Sequence, residues 1–167
     1  MTDTTPLHCL CAFEEPLKKR RDELAARQAL PPLVRRTEAT KMTFQKFRNE
    51  AFDWRTGKHC VRVAHFHLRQ MGHTIPTLPR IRSALSARRA LVAGGWASVS
   101  DMLDSLLEPI APARMVVGDI GVVPGDDGHE SIVICLGPQK VLGWLPSGEK
   151  MVIYDGGVQH LTGAWRV

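Results

Sequence analysis

The sequence predicts an α+β domain in which the helices come first and an antiparallel sheet follows. Three observations predict it. Between Thr43 and Leu107 apolar residues recur at helical spacing, whereas from Met115 onward they fall in short β-branched runs. Gly72, Gly94-Gly95, Pro109 and Pro112 punctuate the first region, and Pro124-Gly125, Gly137-Pro138 and Pro146-Ser147-Gly148 punctuate the second. The charge divides at the same place: residues 1–114 hold 19 Lys/Arg against 11 Asp/Glu, and residues 115–167 hold 3 against 6. No internal repeat accompanies this division.

The chain is long enough for one domain with an appended arm. It has 167 residues, 44% of them hydrophobic, with a formal charge of +5. That content excludes wholesale disorder and fibrous repeats. Its apolar runs are short and interrupted, so no membrane-spanning helix is expected. Met1-Thr2-Asp3 lacks the basic flank and apolar stretch of a signal peptide. Four cysteines in this length are too few for a disulfide scaffold and point to a reducing site of synthesis.

Residues 1–42 read as a basic arm. Lys18-Lys19-Arg20-Arg21 opens a polar, helix-forming stretch, and Pro31-Pro32 reads as its end. Few large apolar residues lie here, so the arm is expected to order against a partner or the main domain; Lys18, Lys19, Arg20 and Arg21 are the candidate partner contact, with a solvated charge run as the competing reading. From Thr43 the domain proper begins, with Thr43 expected to cap a short helix carrying Phe44, Phe47 and Ala51 on one stripe. A second helix is expected from about Lys58 to Met71, stopped by Gly72. A third spans about Arg80 to Ala93, and a fourth starts at Ser98 with Asp101 three residues on. The sheet is expected as a meander: Met115–Val123, Ser131–Leu136, Lys140–Leu145, Met151–Tyr154 and a last strand ending in Ala164-Trp165-Arg166-Val167.

Cys60 is the residue with most chemistry in its position. A thiol heading a helix faces partial positive charge and unpaired amides, which favour the thiolate a nucleophile needs. Val63, Ala64 and His67 follow on the same face. A small hydrophobe packed between helix and sheet is the competing reading. A nucleophile also needs a base. His129, at the start of the Ser131–Leu136 run, reaches the helix end if that strand packs on the helix; a solvent-facing turn histidine explains it equally. Metal ligation is weakly encoded: Cys9-x-Cys11 beside His8 is too short for zinc-knuckle spacing, and His65 and His67 fall on different helix faces. No cofactor is indicated. Nucleic acid is disfavoured as a partner, because aromatic residues are only 6% and none interleave with Arg80, Arg82, Arg88 and Arg89.

Three segments together resemble a known family. Phe52-Asp53-Trp54-Arg55-Thr56-Gly57-Lys58-His59-Cys60 resembles the Trp-x-x-Gly-x-x-Cys opening of the NlpC-type, papain-like cysteine peptidases. Val117-Gly118-Asp119-Ile120-Gly121-Val122-Val123 resembles their Gly-Asp strand, and Ile132-Val133-Ile134-Cys135-Leu136-Gly137 their His-bearing strand. The layout of residues 43–167 resembles small phage-encoded proteins of that superfamily found among tail genes. The resemblance implies a papain-like core with Cys60 as nucleophile; where the protein is active, His129 would have to serve as the base. It also implies a place in the virion tail tip, after synthesis in the host cytoplasm. Hub, distal tail or tape-measure subunits would be the partners, and peptidoglycan stem peptides the substrate of an active form. The chain departs from the pattern at three positions. His59 stands where the family carries an Asp. The family histidine is expected near Ser131, two residues after His129, a displacement of about 6–7 Å along a strand. Val141-Leu142-Gly143-Trp144-Leu145 supplies no polar residue to orient a base. The expectation is therefore a retained scaffold with eroded catalytic equipment, acting as a structural tail component, with an active peptidoglycan hydrolase as the alternative.

Overall fold

Helix and sheet are segregated along the chain as expected. The structure is a computed structural model. It describes residues 11–125, 128–144 and 150–167, with every side chain in them except those of residues 11–14, 17, 20, 24, 27 and 28. Among these residues the helices α1 (Cys11–Gln28), α2 (Pro32–Phe47), α3 (Cys60–Gln70), α4 (Ala84–Ala93) and α5 (Val99–Leu106) come first. The strands β1 (Glu108–Ile110), β2 (Ile120–Pro124), β3 (Glu130–Gly137), β4 (Lys140–Gly143), β5 (Val152–Asp155) and β6 (Gly163–Arg166) follow. They form one antiparallel sheet in the order β1-β6-β2-β3-β4-β5. Strands β2 to β5 are the expected meander, but β6 returns to lie between β1 and β2. The turns expected at Asp126-Asp127 and Pro146-Ser147-Gly148 lie outside the described residues.

Helix α2 corrects the reading of its segment. Pro31-Pro32 does not only end what precedes it; it starts α2, because a proline at the first helical positions has no amide to waste and its φ is preset. Thr43 is thus an interior residue, fully buried, and no cap. The helix crosses residue 42 and stops at Phe47, followed by Asn49 at φ +64. Ala51 lies beyond it, bridged to Lys150. Helix α4 also starts later than expected, at Ala84. Pro76 and Pro79 precede it in chain without regular structure, and Ser83 and Ser86 cap it reciprocally. Helix α5 begins after Ser98, whose hydroxyl accepts from the Asp101 amide at 3.0 Å.

Alternation along β3 divides the core. Ile132 and Ile134 face the helices, where they meet Cys60, Ala64, Leu68, Val99 and Leu103 on one side and Phe47, Val63 and Trp144 on the other. Val133 faces the opposite layer with Val123, Val141, Val158 and Leu161. Each rim of the sheet is distinct. At one end β1 is three residues long and contains Pro109; at the other, β5 exposes Val152, Ile153 and Tyr154.

One buried carboxylate fastens α2 to the sheet. Asp119 is fully buried and takes Arg36 from α2, Arg166 from β6 at 2.9 Å, and the amides of Val116 at 2.8 Å and Val167 at 3.1 Å. Arg36 also donates to the Val117 carbonyl at 2.8 Å and to that of Val167. Gly118 permits this approach: at φ +85, a Cβ there would meet Thr40 Oγ1 at 3.2 Å and the Arg36 main chain at 3.6 Å. A second fastening runs through His67, whose Nε2 donates to the Gly118 carbonyl at 2.9 Å and whose Nδ1 meets Thr43 Oγ1 at 3.0 Å.

Candidate functional site

The loop before α3 is built to present Cys60. The Asp53 carboxylate accepts from the Arg55 amide at 2.8 Å and the Thr56 hydroxyl at 2.9 Å, and those bonds hold it below the usual carboxylate range. The main chains of Asp53 and Lys58 pair with each other, and Gly57 at φ +78 closes the turn between them. His59 then caps α3, its Nδ1 accepting from the Arg62 amide at 3.3 Å, while its ring stacks on Trp54 at 5.0 Å. Position 59, where the family pattern has an Asp, is therefore an N-cap filled by an imidazole. Burial, with Arg62 nearby, lowers the His59 pKa to about 4, which keeps the ring neutral and able to accept.

Cys60 heads α3 with 6% of its surface exposed. The helix terminus was expected to lower its pKa; the thiol is instead pushed up. Burial is the dominant cause, and it outweighs hydrogen bonding toward the sulfur by the Ile132 and Val61 amides and the Ser131 hydroxyl. Cys60, Val63, Ala64, His67 and Leu68 form the buried face of α3, as the spacing predicts.

A cleft of about 790 Å³ opens beside this helix end. It is lined by Cys60, Val61 and Ser131, by Phe52, Trp54 and Trp144, and by residues of α4 and α5. His129 lies on the same cleft, in an exposed segment where its carbonyl accepts from Gly125 at 2.6 Å. The structure thus brings Cys60 and His129 to one cavity. Close to Cys60 on the cleft lies Ser131, whose hydroxyl donates to the Trp144 carbonyl at 3.4 Å and bears on the thiol. Beside it Glu130 is already engaged, accepting from the Ser100 amide at 2.9 Å and hydroxyl at 2.6 Å at the start of α5. On β4, Val141 and Leu142 are buried and apolar, and Trp144 donates its indole N–H to the Glu50 carbonyl at 2.9 Å.

The other candidates scatter. Lys18, Lys19 and Arg21 are exposed on α1, far along the chain from the cleft; the side chain of Arg20 is not among those described. His65 bonds the Pro76 carbonyl at 3.0 Å while His67 is buried toward Gly118, so the two rings diverge as predicted. His8 and Cys9 lie outside the described residues, as does the Cys11 side chain. Among the described residues no cluster of three or more His, Cys, Asp or Glu is arranged to hold a metal ion. Nor is any helix among them long and apolar enough to cross a membrane.

Sequence reasoning singled out neither the Asp119–Arg36–Arg166 network nor the Thr43–His67 bridge. Only the Gly-Asp pair hinted at the first, and nothing local marks Arg36 as its partner 83 residues away. No match to a curated protein is found. The model of the family described as domain of unknown function DUF6950 matches residues 34–167, starting within α2 and running through β6, and the chain belongs to that family.

Proposed function

We propose that the chain is a structural subunit of a phage tail tip or hub, built on an NlpC-type papain-like fold that no longer cuts. One observation carries the reading: the side-chain group set near the Cys60 thiol is the Ser131 hydroxyl, at the strand position where the family pattern calls for the catalytic histidine. A hydroxyl does not take a thiol proton near neutral pH, and burial holds the thiol protonated. The neighbouring strand adds no polar side chain to orient a base.

Iodoacetamide labelling of the native chain near neutral pH tests this. Cys60 is expected to react roughly a hundredfold more slowly than a free cysteine, and Cys60→Ala to change nothing in a cell-wall hydrolysis assay. Ser131→His sets an imidazole beside the sulfur and is expected to raise the labelling rate about tenfold. Rapid labelling of the native protein, with hydrolysis lost in Cys60→Ala, would overturn the reading. That result belongs to the second reading, a cysteine peptidase or amidase acting on peptidoglycan stem peptides, which the shared cavity of Cys60 and His129 favours.

The arm supplies the assembly contact. Its basic tetrad is flanked by Glu14-Glu15 and Asp22-Glu23, so this stretch carries little net charge for nucleic acid. The described side chains of α1 are exposed, whereas α2 is fastened to the sheet. Limited proteolysis is expected to cut α1 readily in the isolated protein and slowly in the particle; equal protection in both counts against a partner-ordered arm.

A further inference from the structure

We infer that the cleft above Cys60 is a docking site for an extended segment of a neighbouring subunit, one that presents large apolar side chains beside an acidic residue. The inference deepens the structural reading and rests on it, since the cleft must bind without cutting.

The apolar volume argues that something fills it. The cleft measures about 790 Å³, a size suited to a ligand and far beyond a packing defect. Most of its lining is aliphatic or aromatic, including Ala87 and Leu91 of α4, Val99 and Met102 of α5, and Trp96 between them. Helix α4 makes the same point from the other side. It is ten residues long and well capped, yet none of its residues is buried. Its inner face, Ala84, Ala87 and Leu91, looks onto the cleft, and small residues there allow a second backbone to come close.

The charge chooses the occupant. Arg80, Arg82, Arg88 and Arg89 are exposed around α4, and none is in an ion pair among the described residues. Arg88 lines the cleft itself, and Glu130, which also lines it, is already held by the Ser100 amide and hydroxyl. An unneutralised guanidinium beside an apolar trough complements a carboxylate next to bulky apolar side chains. An extended peptide offers both at once along the length of the trough. Nucleic-acid bases fit less well, because three of the four aromatic rings on the cleft already pack on one another or on His59: His59 covers Trp54, and Phe52 packs edge-on against both Trp54 and Trp144.

Selection of short random peptides displayed on phage, against the immobilised full-length protein, tests the inference. The expected result is enrichment of sequences with Trp, Leu or Phe beside Asp or Glu. Synthetic versions of the selected peptides should bind Arg88→Glu at least roughly tenfold more weakly and lose binding to Ala87→Trp, whose indole fills the trough. Both variants should keep the melting temperature of the native protein, and Arg48→Glu, away from the cleft, should bind as before. Peptides returned intact support the inference. Peptides bound and cut overturn both this inference and the structural reading. Failure to select any Arg88-dependent sequence overturns the docking site and leaves the structural reading standing. Tighter, steeply salt-dependent binding of oligo-dT at the same trough also overturns it, in favour of nucleic acid.

Discussion

Asp119→Ala is expected to cost about 3–5 kcal/mol of folding stability, the range for breaking a buried charged network by removing one partner. For a domain of this size the melting temperature should fall by roughly 6–20 °C. The magnitude follows from what the carboxylate holds. Two guanidiniums and two main-chain amides converge on it from α2, the segment before β2, and β6. Truncation leaves Arg36 with only carbonyl partners and strands the amides of Val116 and Val167. Arg36→Ala should cost less, because Arg166 still neutralises the carboxylate. The double variant should fall short of the sum of the singles, since both act on one network. Thermal unfolding followed by circular dichroism measures all three. A loss below about 1 kcal/mol for Asp119→Ala would mean that α2 is held mainly by apolar contacts.

Acidification is the second large effect. His67 is fully buried, and burial, reinforced by the Arg36 charge, lowers its pKa from 6.5 to about 4. The folded state therefore favours the neutral ring, while the unfolded chain takes up a proton at the ordinary value. Stability is complete above pH 6.5, declines as the pH falls toward 4, and stops changing through this group below that. The loss from His67 alone is about 3 kcal/mol. His59 shifts in the same direction and adds to the decline. Hydrogen bonding is not what fails. In the neutral ring Nε2 donates to Gly118 and Nδ1 accepts from Thr43, and on protonation the Thr43 hydroxyl can turn its hydrogen to the Ala39 carbonyl at 2.8 Å. The cost is that of placing a charge in a dry interior beside a guanidinium. His67→Gln should flatten the decline between pH 6.5 and 4 in a urea titration; an unchanged pH profile would assign the acid sensitivity elsewhere.

The order of elements was legible because it is written in local chemistry. Ser98 with Asp101, Gly72 after Met71, and the β-branched run from Ser131 to Leu136 each act within a few residues, and each sits where the pattern put it. Pro32 was misread because a proline pair punctuates in both directions, and only the following helix decides which. Strand β1 was missed for the same reason: Pro109 reads as a helix terminator, yet at a sheet edge its missing donor is harmless. The place of β6 beside β2 was invisible, since it depends on pairing Ile120 with Trp165 across 45 residues. At the site, spacing led to Cys60 and to the strand that faces it. The direction of the thiol's pKa was out of reach, because the helix-end field is local whereas desolvation is set by Ile132, Val99 and Trp165 arriving from elsewhere. The partners of Arg36 and His67 were overlooked because neither a surface-like arginine nor a mid-helix histidine announces a partner far along the chain.

The unlike rims of the sheet give the molecule a direction of growth. At β1 the imide ring of Pro109 offers no hydrogen to an incoming strand, and only three residues are available. The β5 rim has no such block; its Val152, Ile153 and Tyr154 are apolar and open, with Lys140 and Lys150 close by as the charges that discourage casual pairing. A foreign strand, whether from a misfolded copy or an engineered fusion, meets less resistance at that end than at β1.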